Sequence, residues 1–394
     1  MSAHPTRLLG LRGLRVVDVV SGEVSETTLV IGDGRVISVG TDHPTNTEQL
    51  DLTGCWAVPS FIDMHAHVTF SARDHDHPGA FTFTEPAEVG LLRAVQNLTE
   101  AMRNGICAVR DAGGRQMPLS LAKTALDNGT LSLPELITSG EPLCLPGGHG
   151  AIFGKSIRSI DDVDLVIRDH AKQGHEWLKI MNGPELWSYT DLRYVIKTAH
   201  TARLRTAVHA FTQEGVTAAV QAGATTVEHG LLADPELIEL ARANGTAFVP
   251  TAYCSWVSLR PRFTWTQSVS ELSHLDFWYR YLEECRPTHV NARLPVLPGT
   301  DAGCAPCTFD DYFDELARFE QWGMRPIEVL RTATLDAATC LGRQDRIGSI
   351  AAGKEASLVI TDRDPTESTA HLRQPLLVLY RGSAVVNSLG ERWA

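Results

Sequence analysis

Residues 161–181, DDVDLVIRDHAKQGHEWLKIM, contain a helix signal that is followed at once by a strand signal. Over residues 161–173 apolar side chains recur every three or four positions, and Gly174 stands just past the end, as is typical of a helix and its C-terminal cap. Residues 176–181 (EWLKIM) then form a short β-type run. Alternation of helix and strand favours the α/β class.

The same alternation recurs through the centre of the chain. A second helix is predicted over residues 86–104, closed by Gly105. The candidate strands are eight runs, at residues 56–62, 106–110, 136–140, 176–181, 206–210, 225–229, 246–250 and 294–299. Eight strands, most of them followed by a helix, within ~250 residues predict a (β/α)8 TIM barrel, in which the active site lies at the C-terminal ends of the strands.

The two ends of the chain have a different pattern, with short alternating β runs. These runs lie at residues 15–20, 27–31, 35–39, 357–360 and 376–380. Neither end alone could bury one face of a sheet, so we predict that the two ends together form a small β-sandwich. The predicted domains are therefore a composite β-sandwich of residues 1–57 and 343–394, and a barrel of residues 58–342.

The composition excludes several classes of protein. Among 394 residues, 43% are hydrophobic and 21% are charged, which are ordinary globular values. The net charge of −12 repels phosphate groups, so we expect neither nucleic acid nor a membrane as a partner. No apolar run approaches the ~20 residues of a membrane-spanning helix, and no secretory signal is visible. With 8 scattered cysteines, which favour reduced thiols, this predicts a cytoplasmic protein.

Histidines gather at the predicted strand ends. His65 and His67 are two residues apart, so on a strand they would share a face. Alone, such a pair also fits two hydrogen-bonded core histidines. Three further donors fall at the ends of other predicted strands: His209, His229 and Asp301. Five nitrogen and oxygen donors at one face of a barrel favour a metal site, and these donors suit Zn²⁺.

Lys179 lies between apolar neighbours inside a predicted buried strand. An unpaired ammonium loses its hydration there, so the position is unfavourable for a charged lysine. One interpretation is a lysine whose ammonium group extends to the rim of the barrel. The other is that burial lowers the pKa and the neutral amine takes up CO₂, and the resulting carbamate would bridge two metal ions. The position within the strand favours the carbamate once a metal site is accepted.

Several motifs together resemble the amidohydrolase superfamily over nearly the whole chain. They are residues 31–36 (IGDGRV), 59–67 (PSFIDMHAH), 109–114 (VRDAGG), 147–150 (GGHG), Lys179, 208–209 (VH), 228–230 (EHG), 299–303 (GTDAG) and 353–356 (GKEA). Within the superfamily the chain is most similar to the imidazolonepropionase-related group, which includes metal-dependent Xaa-Pro and Xaa-Arg dipeptidases. Lys179 separates it from imidazolonepropionase itself, whose single-metal site lacks a bridging lysine.

The resemblance implies a site with two metal ions, expected to be Zn²⁺. His65, His67 and Asp301 would hold one ion, and His209 and His229 would hold the other. Lys179, carboxylated on its side-chain nitrogen, would bridge the two ions.

The resemblance also implies a mechanism. A hydroxide that bridges the metal ions would attack a polarised carbonyl, with Asp301 as the general base. His149 would donate to the oxyanion or hold the substrate; alternatively it is a turn histidine without a role. Tyr253 is similar to a family tyrosine that hydrogen-bonds the substrate, although a tyrosine in a barrel loop also serves in packing.

The function predicted from these residues is cleavage of a C–N bond, amide or peptide, in a small molecule such as a dipeptide or an N-acyl amino acid. The alternatives on the same metals are lactone or ester hydrolysis, decarboxylation and deamination. An alternative from another class is a catalytically silent scaffold with the same fold, although a scaffold would be expected to have lost metal ligands. We further expect a small-molecule substrate and a homo-oligomer.

Overall fold

The computed structural model describes residues 8–40, 47–72, 85–183, 185–258, 280, 283–286, 288–304 and 306–390. Close contacts divide the chain into two compact units. The first is Met1–Ile62, Glu100–Cys107 and Phe319–Ala394, and the second is Asp63–Thr99 and Ala108–Arg318. The domain boundaries inferred from the sequence, after residues 57 and 342, stay a prediction.

The regular elements follow one another in this order. The strands are β1 (Leu8–Val17), β2 (Val24–Gly32), β3 (Arg35–Gly40), β4 (Thr47–Asp51), β5 (Trp56–Pro59), β6 (Phe61–Ala66), β7 (Ile106–Asp111), β8 (Glu135–Thr138), β9 (Leu143–Cys144), β10 (Lys155–Ser156), β11 (Trp177–Met181), β12 (Arg205–Ala210), β13 (Thr226–His229), β14 (Ala247–Val249), β15 (Leu358–Thr361), β16 (Leu377–Tyr380) and β17 (Ser383–Asn387). The helices are α1 (Ala87–Arg103), α2 (Gln116–Asp127), α3 (Val163–Lys172), α4 (Tyr189–Thr201), α5 (Gln213–Gln221), α6 (Pro235–Asn244), α7 (Ala252–Ser258), α8 (Tyr312–Gln321), α9 (Pro326–Arg331) and α10 (Ala337–Leu341).

The first unit contains one eight-stranded sheet, in the order β17-β16-β15-β5-β1-β2-β3, with β4 paired to β1. Strand β5 joins the two ends of the chain, because it pairs parallel to β1 and antiparallel to β15. An apolar cluster with members from both ends, including Leu14, Leu29, Leu358 and Leu379, is buried against this sheet. The N- and C-terminal segments therefore form one β structure, as the sequence predicts.

Parallel strands make up the sheets of the second unit. One sheet runs β10-β9-β11-β12-β13-β14, and the strands β6-β7-β8 form another. The residues between β11 and β14 alternate strictly between helix and strand, which is the α/β arrangement that the sequence predicts. Strands β11 and β12 bury nearly every side chain, as expected when both faces of a parallel sheet are covered.

Capping residues fix where several of these helices begin. The side chains of Ser188, Thr212 and Asp234 each accept a hydrogen bond from a backbone N–H in the first turn of α4, α5 and α6. Helix α6 also has Pro235 in its first turn and ends at Gly245, whose φ of 69° suits glycine. These caps fix the residue at which each helix begins after its preceding strand.

The eighth predicted strand, residues 294–299, is not a regular strand. It makes a single parallel bridge from Val296 to Phe248, and a second bridge joins Ala302 to Ala66. Pro295 and Pro298 lack the backbone N–H that a continuous ladder needs, which explains the interruption. The predicted strand 56–62 is likewise divided into β5 and β6, which belong to different sheets.

Both predicted helices are confirmed. The helix predicted over residues 86–104 is α1, and the helix predicted over residues 161–173 is α3, which follows a short 3₁₀ turn at Ile160–Asp162. Among the described residues, no helix is both long enough and apolar enough to cross a bilayer.

Candidate metal centre

The predicted ligands lie in the second unit, at or near the C-terminal ends of parallel strands. Five of the six are buried, and the side chain of the sixth, Asp301, is 15% exposed. They are His65 in β6, His67 just after it, Lys179 in β11, His209 in β12, His229 at the end of β13, and Asp301 between the two bridges of the eighth segment. Since the ends of parallel strands meet at one edge, residues far apart in sequence converge here.

Three of these side chains form a compact group. Nε2 of His67 lies 3.3 Å from Oδ1 of Asp301, and Nε2 of His65 lies 3.6 Å from the same oxygen. One ligand atom from each residue falls within 4.8 Å of the other two. Two imidazole nitrogens and a carboxylate oxygen at this spacing are a donor set that a divalent ion such as Zn²⁺ accepts.

The other three predicted ligands approach the same place from β11, β12 and β13. The ring centroids of His209 and His229 are 4.5 Å apart, and His229 is 4.8 Å from His65. In the strand register Met181 pairs with His209, so Lys179 lies two residues deeper on the neighbouring strand. Because alternate residues of a strand share a face, Lys179 lies on the same face of the sheet as His209, one step nearer the N-terminal ends of the strands.

Four buried atoms in this cluster have no hydrogen-bonding partner of acceptable geometry among the described residues. They are Nε2 of His65, Nζ of Lys179, Nε2 of His209 and Oδ1 of Asp301. A buried polar atom without a partner is unfavourable by about 1–3 kcal/mol, so four in one place call for a missing partner. A metal ion fits three of them, because imidazole nitrogens and a carboxylate oxygen are ligand types that divalent ions bind.

The opposite ring nitrogens of three histidines have partners in the protein. Nδ1 of His65 is 2.6 Å from a carboxylate oxygen of Glu228, and Nδ1 of His67 is 2.6 Å from the carbonyl oxygen of Gly113. Both of these oxygens only accept, so each Nδ1 carries a proton, and in the neutral ring Nε2 then presents its lone pair. Nδ1 of His229 lies 2.8 Å from the hydroxyl of Thr251. Such partners fix the ring orientation that a metal ligand needs.

Backbone strain accompanies this arrangement. Three residues of the site other than glycine have positive φ: His229 (74°), Thr251 (45°) and Asp301 (57°). In a regular strand Glu228 and His229 would point to opposite faces. The positive φ ends the strand at His229, and both side chains then contact His65 or its neighbourhood. Strain of this kind costs ~1–3 kcal/mol per residue and gathers at functional sites.

Burial changes the charge state of the cluster. It lowers the pKa of the Lys179 amine to about 8, and it lowers the pKa of the His65 imidazole well below its usual value. Burial also lowers the pKa of His229, to about 3. For Asp301, burial favours the neutral acid, but the contact with His67 and the nearby imidazoles hold the pKa below its usual range. Burial lowers the pKa of His67, but the adjacent Asp301 outweighs it and raises that pKa. A metal ion binds the neutral imidazoles and the anionic carboxylate, so it would take the place of the proton on Nε2 of His67.

Asp63 connects β6 to the segment that carries Asp301. It precedes His65 and His67 in the chain, and its side chain accepts hydrogen bonds from Thr300, from the hydroxyl at 2.6 Å and from the backbone N–H at 3.1 Å. It also accepts from the backbone N–H of His65. Burial raises the pKa of Asp63 to about 7. These bonds tie β6 to the segment that carries Asp301.

The two predicted substrate contacts have different surroundings. His149 is exposed, its ring stacks on His209 with a centroid distance of 4.7 Å, and its backbone N–H donates to Glu185. It therefore lies beside the cluster. Tyr253 is half-buried in α7, with its ring 5.7 Å from that of Trp256. The adjacent Cys254 reaches the cluster instead, with Sγ 3.6 Å from Oδ2 of Asp301.

Glu315 and Thr251 were not anticipated from the sequence. Glu315 is fully buried and accepts hydrogen bonds from the backbone N–H groups of Ala252 and Tyr253, at 3.0 and 2.7 Å. It thereby holds the turn that contains Thr251, the partner of His229. A glutamate inside the amphipathic pattern of α8 is the weak signal that could have indicated this role.

Comparisons with known proteins show what this chain is similar to. Residues 56–385 match the Amidohydrolase family. Ochratoxinase of Aspergillus niger is 24% identical over 405 residues, covering 89% of this chain and 80% of that protein. Imidazolonepropionase of Streptococcus sanguinis is 23% identical over 372 residues, with 85% and 83% covered. The crystal structure of a prolidase complexed with N-methylphosphonate-L-proline has a TM-score of 0.85 and 25% identity, covering 96% of this chain and 100% of that chain.

Proposed function

The chain belongs to the amidohydrolase family, and on that premise we propose that it is a metal-dependent hydrolase that cleaves an amide or peptide C–N bond in a small molecule. A dipeptide or an N-acyl amino acid is the substrate type in view. The observation that carries the proposal is the convergence of buried polar atoms that lack hydrogen-bonding partners among the described residues, on His65, Lys179, His209 and Asp301. A scaffold would have no reason to keep such atoms buried.

We assign the donors to two Zn²⁺ ions. His65, His67 and Asp301 would hold one ion, and His209 and His229 the other. The first set is supported by its spacing, within 4.8 Å, and the second by the 4.5 Å between the two imidazole rings. Bound ions of this kind polarise a carbonyl and make a water molecule acidic enough to attack it at neutral pH.

Lys179 would bridge the two sets as a carbamate. Its amine is 1% exposed, and burial favours the neutral form, which is the form that reacts with CO₂. The nitrogen lone pair forms a bond to the carbon of CO₂, one proton leaves, and the product carries a negative charge on two oxygens. The carbamate would replace an unpaired buried nitrogen with two donors directed at the ligand cluster.

Asp301 is the proposed general base. Its carboxylate lies next to His67 through Oδ1 and next to Cys254 through Oδ2, and the low pKa keeps it anionic at neutral pH. It would take a proton from the attacking water and return it to the leaving nitrogen. His149, exposed beside His209, would hold the substrate carbonyl, and we give Tyr253 a substrate contact from α7.

We also propose that the parallel strands close into the (β/α)8 barrel. The two bridges of the eighth segment support closure, since one joins it to β14 and the other to the end of β6. On the other side, the backbone N–H of Glu176, just before β11, donates to the carbonyl of Thr138 in β8. A β-sandwich in the first unit is supported by the apolar cluster that its sheet shares between both chain ends.

The other expectations stay predictions. These are zinc as the metal in the cell, a cytoplasmic location, a homo-oligomer, and the absence of nucleic-acid and membrane partners. They follow from composition and resemblance alone.

The test is hydrolysis of a library of dipeptides, N-acyl amino acids, lactones and esters by the zinc-loaded protein. We expect cleavage of C–N substrates by the wild type and by Asp127→Asn, a matched change at an exposed surface residue. Asp301→Asn should abolish it. Cleavage of lactones or esters alone, or equal activity in the Asp301→Asn variant, would contradict the proposal.

A further inference from the structure

In the second unit, each of the three guanidinium nitrogens of a buried arginine donates a hydrogen bond. Arg110, in β7, is 0% exposed. Its Nη2 donates to Glu228 at 2.7 Å, its Nη1 donates to the hydroxyl of Thr226 at 2.8 Å, and its Nε donates to the carbonyl of Met64. The guanidinium also lies over the ring of Trp177, 4.5 Å from the centroid. So many contacts hold this charged group in one position.

Glu228 transmits that position to a predicted ligand. Its Oε2 accepts from Arg110 and also lies 2.6 Å from Nδ1 of His65, while the other oxygen accepts from the hydroxyl of Thr226. Both acidic and basic partners of this ion pair are fully buried. Because the carboxylate accepts, Nδ1 of His65 donates, and Nε2 is left directed at the carboxylate of Asp301.

Arg110 holds His65 in a second way. The carbonyl that Nε contacts belongs to Met64, the residue immediately before His65 in β6. The same guanidinium thus binds the backbone beside the ligand and, through Glu228, the side chain of the ligand. A small displacement of Arg110 would therefore shift both the position and the tilt of the His65 ring.

Two other histidines of the cluster have neutral partners at Nδ1. Nδ1 of His67 faces the carbonyl of Gly113, and Nδ1 of His229 faces the hydroxyl of Thr251. Within the part of the chain that the structure describes, His65 is the predicted ligand whose Nδ1 faces a carboxylate. A carboxylate behind an imidazole fixes its tautomer and makes Nε2 a stronger donor to a metal ion.

Stability alone does not account for this ion pair. Replacing a buried ion pair by apolar residues of similar volume is often neutral or stabilising, because two charges must lose their hydration. An Arg110–Glu228 pair kept in the core therefore points to a use beyond holding the strands together. Through Glu228, its hydrogen bonds reach His65, a ligand of the first set.

We propose that Arg110 and Glu228 are positioning residues for His65, which set the affinity of the ion held by His65, His67 and Asp301. The inference rests on the proposed metal-dependent function and deepens it. Glu228 directly precedes His229 in the chain, but its carboxylate is hydrogen-bonded to His65, so the ion assigned to His209 and His229 should respond less. The two ion sites therefore differ in how their ligands are oriented.

The test measures Zn²⁺ affinity, by competition with a chelating dye, in two backgrounds. H209A removes a ligand of the second ion, and H67A removes a ligand of the first. Into each we introduce the double change R110M and E228Q, since either change alone leaves a buried group without its counter-charge and can prevent folding. The matched control makes the same exchanges at Arg346 and Glu355, an ion pair of the first unit.

We expect the double change to weaken Zn²⁺ binding by ~10–100-fold in the H209A background and by less than about 3-fold in the H67A background. The control pair should leave both affinities unchanged. Equal weakening in the two backgrounds, or no weakening in H209A, overturns the positioning role. If the wild type does not bind Zn²⁺, the proposed function fails together with this inference. If the wild type binds zinc and cleaves C–N substrates but the double change has no selective effect, only the positioning role is wrong.

Discussion

The sheet of the first unit and the strand ends of the second unit bury very different side chains. The eight-stranded sheet packs against a cluster made of apolar residues, among them Leu11, Leu29, Ile360 and Leu379. At the ends of β6, β11, β12 and β13, the buried residues instead include histidines, a lysine, a glutamate and an aspartate. The first region follows the ordinary rule that apolar burial stabilises, at roughly 25 cal/mol per Å².

The second region departs from that rule in two ways. It buries donors such as Nζ of Lys179 that have no partner among the described residues, and it contains His229, Thr251 and Asp301 at positive φ. Each feature lowers the stability of the metal-free chain. The residues of the first region are therefore those that stabilise the fold, whereas the residues of the second region are those that set the geometry of ligands at a cost in stability.

The largest expected effect is on activity at Asp301. Asp301→Asn should lower kcat/KM by about 10³-fold or more, because it removes both a metal ligand and the general base. The free energy of unfolding of the metal-free chain should fall at neutral pH, because a pKa below its usual range means that the folded chain stabilises the Asp301 anion. Steady-state kinetics and urea unfolding measure the two quantities. Activity within 10-fold of the wild type would break the comparison.

The converse change lies in the first unit. Leu379→Ala, in β16 at 0% exposure, should cost about 2–5 kcal/mol of unfolding free energy through the lost contacts and the cavity. Zinc content and kcat per folded molecule should not change. Ile37→Ala, on an exposed strand position, is the matched control and should stay within about 0.5 kcal/mol. A loss of kcat in fully folded Leu379→Ala protein would contradict the separation of the two regions.

Glu315 gives a pH-dependent contrast. Burial raises the pKa of this carboxyl from 4.5 to about 8, so the folded chain keeps a proton that the unfolded chain releases above pH 4.5. Its contribution to stability is present below pH 4.5 and is lost as the pH rises to 8. The shift of about 3.5 pH units, 8 minus 4.5, sets an upper limit of roughly 5 kcal/mol.

Glu315→Gln does not titrate, so the stability of the wild type relative to this variant should fall between pH 5 and pH 8. Urea unfolding at several pH values measures it. Glu214→Gln, at an exposed position of α5, should give parallel curves and serves as the control. Parallel curves for Glu315→Gln as well would show that the carboxyl is ionised throughout.

The smallest effect is expected at the rim. His149 is exposed and stacks on His209, so His149→Ala should lower kcat/KM by about 10-fold without loss of zinc. His149→Phe keeps the stacking on His209 and removes the hydrogen bond that the His149 ring is proposed to donate to the substrate. Equal losses in the two variants indicate a hydrogen-bonding role, and full activity in both would leave His149 as a turn residue.

Local patterns in the sequence were enough to predict the strand ends that bring the candidate ligands together. His65 and His67 follow from the two-residue period of a strand, and α1 and α3 follow from apolar spacing and a closing glycine. The resemblance to amidohydrolases is confirmed by the family match. The assignment of each side chain to a metal ion stays a prediction.

The supporting contacts could not be predicted, because they join residues that are distant in sequence. Glu228 lies 118 residues from Arg110 and 163 from His65, and no local pattern links them. Glu315 holds the backbone of Tyr253 across 62 residues. The irregular eighth segment was missed for a local reason, since Pro295 and Pro298 remove the donors that a regular strand requires.

The most direct test of the central claim is the metal content of the native chain, purified without chelators and measured by elemental analysis. The convergence of the six predicted ligands predicts two divalent ions per chain in the wild type. In Lys179→Ala the content should fall to one ion or fewer. A wild type without bound metal, and without a gain of stability on adding Zn²⁺, would contradict it.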